Sequence, residues 1–555
     1  MSEVGVEQMA SGKEKFNSLR RSTEGIAKRR MVGDEARNSC ITTSKMLCDG
    51  VKSTLGPSGM YKMMTEEARH FDITKDGASV ITGLIVKHPA ARLIVETAKA
   101  IEDETGDGTT STIVLAGDLI RRADSLIGDG LHPVVIVEGY KLAARKAIEI
   151  ARELAVKIED DDSDEMLTRV ARTSLKGCGS ERLASQVVRA VQLLEGDKDL
   201  EYVAFEASEG QEFEDTDLVE GSILHNWTPP GSVKRMEDAK ICVILNPIKL
   251  ERAGYLAEIN VSSPDIESHY DKEEEILRQM VEKVKNSGAN VLISIREIDV
   301  RAQGMLGMHD IMYIHKLAKF DYVRHLCLST GANAVSNVWS LKEDDLGKAR
   351  LVEERKISEE ELIFFEGGEN PKACTFFIRA GTPKVIKEHK RNINSAIHSV
   401  SSVVKEPFVL PGGGATEVEL ALRLKKYATT VETKEQLAIM AFAEALEVIP
   451  KTLAQNSGLD VIDTIVDLRA RHQEDTTIGV YIDEDESKAG DTLAEGIIDP
   501  LIVRTQMLSG AVEVSELILL ADGILQDKKR DPKEEERKQK KVSNKKRMEE
   551  LQEMM

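Results

Sequence analysis

Glu104-Thr105-Gly106-Asp107-Gly108-Thr109-Thr110-Ser111-Thr112 runs without a break into an apolar helical pattern from Ile113 to Ile127. A turn of small residues that opens a helix leaves backbone N–H groups pointing outward with the positive end of the helix dipole behind them, which suits phosphate. Asp107 stands inside that turn, where a carboxylate repels a bare phosphate. A divalent cation between them reverses the sign, so the stretch reads as a site for a Mg²⁺-nucleotide. A helix start rich in capping hydroxyls has the same composition. Its company decides.

Three segments share its character. Leu55-Gly56-Pro57-Ser58-Gly59 is a tight turn whose glycines allow backbone to approach a ligand closely. Asp72 to Ile81 reads as a strand, an Asp-Gly turn with Asp76 at its tip, and an apolar segment. Pro411-Gly412-Gly413-Gly414-Ala415-Thr416-Glu417 leads into a helical pattern from Val418 to Leu424, a second Gly-rich helix start far along the chain.

LGPSGM, ITKDGASV, GDGTTST, HPVVIVEGY, LVEERK, PGGGATEVELALRL, NSGLDVID and IIDPLIVRTQ stand in this order along the sequence. In order and spacing they resemble the group II chaperonins, the archaeal thermosome and its eukaryotic cytosolic relatives. The likeness runs from about Lys45 to about Gln526.

Composition sets bounds. A chain of 555 residues is too long for one core. With 41% hydrophobic and 31% charged residues it has a soluble globular composition, and no apolar run reaches membrane-spanning length. The start, Met1 to Glu7, has neither a basic nor an apolar leader region, so no secretory signal and a cytoplasmic location are expected. Six scattered cysteines without Cys-x-x-Cys spacing read as thiols in a reducing compartment. A net charge of −21 argues against a nucleic-acid partner. Lys528 to Arg547 is locally basic and reads as a solvated tail. His132, before Pro133, reads as structural.

Helical periodicity dominates both ends, over 134–155, 435–471 and 502–521. The middle alternates short β-rich runs, Ala239 to Leu245, Ala289 to Ile295 and Ala373 to Ile378, with helical patterns, as in an α/β module. The glycine-rich motifs flank this insert, so the two ends must fold together. The resemblance implies a multidomain α and α/β chaperonin fold. It has a helical equatorial domain (1–163 and 420–527), a small α/β intermediate domain (164–234 and 386–419), an α/β apical domain (235–385) and a charged tail (528–555). Ser263-Pro264-Asp265 reads as a helix start, with Ile276, Met280 and Val284 on one face and Asn286-Ser287-Gly288 at the end. The resemblance makes the segment near 262–285 a lid protrusion, with Ile266 and Tyr270 near its tip.

The resemblance also implies roles. Asp107 holds Mg²⁺, and Gly108, Thr109, Thr110 and Ser111 bind the phosphates of ATP or ADP. Leu55, Gly56, Pro57, Ser174, Gly412, Gly413, Gly414 and Asp499 complete the nucleotide contacts, and Asp76 orients the attacking water. Partners are non-native proteins and other copies or paralogues, in a double ring of roughly 16 subunits.

Departures from the family pattern matter. Where relatives carry an intermediate-domain aspartate that activates water, the ungapped spacing from Arg391 to Pro411 puts Ser395. A serine hydroxyl cannot take a proton from water at neutral pH, and losing a general base typically costs ~10²–10⁴ in rate. Lys75 replaces an asparagine, Ser58 and Tyr61 replace a lysine and an acid, and a sensing-loop lysine aligns with Cys178, with Lys176 nearby. The expectation is an ATP-dependent folding subunit, with a hydrolysis-deficient member of mixed rings or filaments as the alternative. A small-molecule ATP-using enzyme lacks the second constellation it needs.

Overall fold

The computed structural model describes residues 30–525 apart from 68–69, 84–87, 160–162, 176–179, 195–199, 211, 251–262, 318–319, 359, 370 and 484–485. The tail 528–555, Lys176, Cys178 and residue 262 of the expected lid lie outside the described residues, as do the side chains of Ile266 and Tyr270.

The chain ends build one helical core. Helices Asp34–Lys52, Pro89–Thr105, Thr109–Gly128 and Pro133–Leu154 pack with Ala415–Ala428, Glu435–Leu446 and Leu501–Leu519 around Ile41, Leu115, Leu119, Tyr140, Phe442 and Leu508. Close approach needs small residues at the crossings. A Cβ on Gly117 would stand 2.4 Å from Cys48, and one on Gly139 would stand 2.5 Å from Ala438. Tyr140 fills the space between, donating to the Leu119 carbonyl at 2.9 Å with its ring edge-on to Phe442. The two ends are also stitched by antiparallel pairing of Arg30–Val32 with Gly523–Leu525. His132 caps Pro133–Leu154 by accepting from the Val134 amide, the structural role its place before proline suggests.

A second, smaller core lies where the chain leaves and rejoins this body. Helices Ser163–Ser174, Glu181–Leu193 and Pro383–Lys405 cover a sheet in which Cys374–Ala380 runs parallel to Val203–Glu209 and antiparallel to Asp217–Val219. The third body is a sheet of Met312–His315, Val291–Ser294, Arg235–Ile244, Gly347–Ile357, Glu360–Glu366 and Gly221–Leu224 in that order, parallel among its first three strands and antiparallel beyond. Period-2 alternation sends Ile241 and Val243 to one face and Cys242 and Ile244 to the other, so helices cover both.

The described cysteines are free. Burial pushes the Cys48, Cys242 and Cys374 thiols up to about 12. Two expectations change. The apolar segment after Asp76 is a short helix, Gly77–Gly83. The described helix Ser263–Asn286 buries Leu277, Val281 and Val284, while Ile276 is exposed. The alternating four- and three-residue step keeps these three facing Ala302 and Leu306, whereas the uniform four-residue row through Ile276 drifts off that face.

Candidate functional site

Two left-handed glycines shape the central turn. Gly106 (φ 67°) ends helix Pro89–Thr105 and Gly108 (φ 79°) opens Thr109–Gly128, so Asp107 is the apex of a three-residue connection. No side chain caps the second helix, and its first-turn amides at Thr109, Thr110 and Ser111 precede the first intrahelical bond, from Thr112 to the Gly108 carbonyl at 2.9 Å. Asp107 is half-buried. Its carboxylate accepts from the Gly108 amide at 2.8 Å and the Ser174 hydroxyl at 3.2 Å, and Ser399 lies 3.2 Å beyond Ser174.

Asp76 is tied to the same turn. It caps helix Gly77–Gly83 by accepting from the Ser79 amide at 2.8 Å, and the Thr109 hydroxyl reaches its other oxygen at 3.5 Å. The Gly77 amide donates to Thr110 Oγ1 at 3.1 Å, and a Cβ on Gly77 would collide with that oxygen. Leu55, Gly56 and Pro57 form the turn expected, held to the C-terminal half by Asn456, whose side-chain amide donates to the carbonyls of Lys52 and Leu55. A Cβ on Gly56 would lie 2.5 Å from Leu453.

The second Gly-rich helix start converges from the other half. Gly413 (φ 61°) and Gly414 (φ 82°) precede helix Ala415–Ala428, which also lacks a side-chain cap. Pairing of Leu410 with Asp499 brings Asp499 beside Gly412. The Asp499 carboxylate, expected at ribose or adenine, is engaged by Arg504. Arg504 also lies 2.7 Å from Glu417, close enough for an ion pair but misaligned for a hydrogen bond. Burial pulls the Arg504 value down, and Asp499 and Glu417 more than reverse this. Asp107 acts on it in the same sense. Burial raises the Glu417 carboxyl, against the pull of Arg504.

Helix Pro383–Lys405, from the second core, lies across the turn at Asp107. Lys387 and Arg391 both grip Asp72, Glu388 accepts from the Lys75 amide at 3.2 Å, and His398 packs on Gly106. Burial raises the Asp72 carboxyl, but bonds to Lys387 and Arg391 bring it below the usual aspartate range. Ser395 is buried and donates its hydroxyl to the Gly106 carbonyl, next to Asp107. Lys75 lies 3.4 Å from the Pro57 carbonyl and above the Tyr61 ring, so two of the departures touch.

The structure thus brings Asp76, Asp107, Gly108 to Ser111, Ser174 and Ser395 into one contact network, with the Gly56 and Gly412–Gly414 turns reaching the same helical body from both halves. Arg504 and Glu417 carry no role in the sequence-based expectations, although Glu417 lies in PGGGATEVELALRL and Arg504 in IIDPLIVRTQ. Their signal is an arginine and two acids in two segments that each adjoin a glycine turn. Among the described residues no three ligating side chains cluster, so a metal here would rest on Asp107 and on the ligand's own oxygens, as suits Mg²⁺. An uncapped helix start beside a half-buried carboxylate fits that group.

The TCP-1/cpn60 chaperonin family matches residues 47–529. The chain is 41% identical to a thermosome subunit of Methanopyrus kandleri, covering 89% of this chain and 93% of that one. It is 40% identical to the thermosome subunit beta of Methanothermobacter thermautotrophicus over the same shares, and 39% identical to a Pyrococcus abyssi thermosome subunit over 91% and 94%. No described helix is long and apolar enough to cross a membrane. With the family matched across the helical body and both inserted cores, this chain belongs to the TCP-1/cpn60 chaperonins, as a thermosome-like subunit.

Proposed function

We propose that this chain is an ATP-binding subunit of a stacked-ring chaperone that encloses non-native proteins in the cytoplasm, with the equatorial, intermediate and apical roles falling to its three bodies. The observation that carries the nucleotide reading is the uncapped start of helix Thr109–Gly128 beside Asp107, with the turns at Gly56 and Gly412–Gly414 contributed by both chain halves. Amides of Thr109, Thr110 and Ser111 bind and orient the phosphates, and the glycine turns let backbone approach the nucleotide. When bound at Asp107, Mg²⁺ supplies the charge that offsets the phosphates.

Proton handling is the weak step. Ser395 donates its proton to the Gly106 carbonyl, so its oxygen can orient a water but cannot deprotonate it. Asp76 remains as an acceptor, with one oxygen bonded to the Ser79 amide at 2.8 Å and the other reached by the Thr109 hydroxyl only at 3.5 Å. This favours slow hydrolysis and, as a second reading, service in rings mixed with active paralogues. Electron microscopy and steady-state turnover of the protein expressed alone, with and without Mg²⁺-ATP, test both. Closed double rings with measurable turnover support the first. Isolated subunits that enter rings only with a paralogue support the second, and a protein that binds no nucleotide in either setting sinks the proposal.

A further inference from the structure

A cleft of about 770 Å³ opens between the sheet of the second core and the antiparallel edge of the third. Its floor is an aromatic pair from the two sheets, Phe377 and Phe364, edge-on with ring centroids 5.7 Å apart. Each ring carries a guanidinium on its face, Arg379 at 5.0 Å from Phe377 and Arg355 at 4.5 Å from Phe364. The two cations differ in every other respect. Arg355 is spent on Glu353 and Glu366, at 2.9 Å and 2.6 Å. Arg379 is only 5% exposed, its Nε is buried with no hydrogen-bond partner, and no carboxylate among the described residues lies within ion-pair distance of it. Asp215 and Asp217 act on it only at longer range, and burial depresses its basicity below the ordinary arginine value.

An unpaired guanidinium this buried is costly, since desolvation is offset only in part and at longer range by Asp215 and Asp217. The stacked Phe377 ring holds it in place, while the Arg379 backbone amide, donating to Thr216 Oγ1 at 3.2 Å, fixes the strand that carries it. The cation is therefore pre-positioned, with its planar donors unspent, in a cleft large enough for a small organic molecule. The surrounding charges narrow what fits. Asp215, Asp217, Glu220 and Glu366 line the same cleft with Arg182, Arg350, Arg355 and Arg379. The last three acids are paired with Arg182, Arg189 and Arg355, whereas Asp215 has no ion-pair partner among the described residues. With the other acids paired, the charges left over are Arg379 and Asp215, so a multiply charged anion meets the Asp215 carboxylate, whereas a single planar carboxylate matches the guanidinium fork.

We propose that this cleft is a binding site for a small organic monocarboxylate, held by Arg379 with its apolar body against Phe377 and Phe364. The ligand bridges the second and third bodies, apart from the nucleotide turns. The test uses 4-bromobenzoate as probe, titrated calorimetrically into the unmodified protein and into Arg379→Met and Arg379→Lys, with inorganic phosphate as a second arm. Saturable binding of 4-bromobenzoate is expected, weakened on the order of tenfold or more by Arg379→Met and less by Arg379→Lys, which keeps the charge without the fork. Phosphate is expected to bind more weakly than the carboxylate. Equal binding by the unmodified protein and Arg379→Met, or tighter binding of phosphate, overturns the proposal, as does the absence of saturable binding. If Arg379→Met does not fold, a crystal structure of the unmodified protein with the probe decides. Bromine signal in the cleft with the carboxylate on Arg379 supports the site, and signal elsewhere or none refutes it.

Discussion

The two glycine-rich helix starts use the same backbone device for different ends. Gly108 and Gly414 are both left-handed, at φ 79° and 82°, and each precedes a helix that no side chain caps. What differs is the acid. Asp107 stands before its helix, half-buried, oriented by a neutral amide and a neutral hydroxyl. Glu417 lies inside the first turn of its helix, fully buried, with Arg504 bridging it to Asp499. The first arrangement presents a carboxylate at the helix start. The second keeps its charge internal and fixes strand Ile498–Pro500 and helix Leu501–Leu519 against the turn. A Gly-rich helix start can therefore fasten two chain segments through its first-turn acid as well as leave its backbone open to a ligand.

Arg504→Met breaks the internal arrangement and carries the largest expected effect. It leaves Glu417 and Asp499 without their shared cation, and removing one partner of a buried ion pair costs about 3–5 kcal/mol. The expected outcome is a sharply lower melting temperature and poor ring assembly. Arg504→Lys should lie between, because it keeps the charge but not a fork for two carboxylates. Unchanged thermal stability in Arg504→Met would mean that the triad is not what fastens this turn.

Asp107→Ala acts on the other helix start and should leave the fold intact. Here the loss should fall on Mg²⁺-dependent nucleotide affinity, on the order of a hundredfold or about 3 kcal/mol. Calorimetry with and without Mg²⁺ checks it. If ATP affinity in the variant still rises with Mg²⁺ as in the unmodified protein, the metal site is elsewhere.

The contrast also explains what is legible in the sequence. The two Gly-rich helix starts, the Gly56 turn and the helical ends can be read locally, because glycine spacing and hydrophobic periodicity are written within a few residues of where they act. The α/β middle is legible for the same reason. Arg504 with Glu417, and Asp72 with Lys387 and Arg391, cannot be read that way, since each pair joins segments distant in sequence. Ile276 falls on the wrong face because a four-residue row and the alternating row next to it differ by one position on the helix. Spacing alone places Ser395. Only the structure shows that its proton goes to Gly106.

Ser395→Asp sharpens the difference at the first helix start by adding an acceptor. Turnover should rise on the order of tenfold, and further when combined with Lys75→Asn. Affinity should change little, because the phosphate turns are untouched. The Gly106 carbonyl, which now receives the serine proton, repels a carboxylate, so the gain requires helix Pro383–Lys405 to shift locally. Ser395→Ala should alter turnover little. If the unmodified protein already hydrolyses ATP at a rate that Ser395→Asp does not raise, impaired hydrolysis is the wrong reading.

The smallest effect concerns the latch that joins helix Pro383–Lys405 to the strand before Asp76, over the turn at Asp107. Asp72 joins this helix through Lys387 and Arg391, with Glu388 bonded to Arg391 and to the Lys75 amide. Its carboxyl is held below the ordinary aspartate value of 3.8, with burial opposing and the bonds to Lys387 and Arg391 prevailing. A depressed folded value means that the folded state resists protonation more than the unfolded one. The latch therefore contributes fully above roughly pH 4, and its contribution is lost as pH falls through the depressed value. Half of the Lys387 side chain is exposed, so solvent screening limits the contribution to about 1 kcal/mol or less. Asp72→Asn should speed hydrogen exchange along 383–405 at neutral pH, with the 501–519 helix unchanged. It should also flatten the extra loosening seen as pH falls below about 4, after correction for intrinsic exchange. The same acid response in Asp72→Asn and in the unmodified protein would place the pH-sensitive group elsewhere, with Glu388 the next to test.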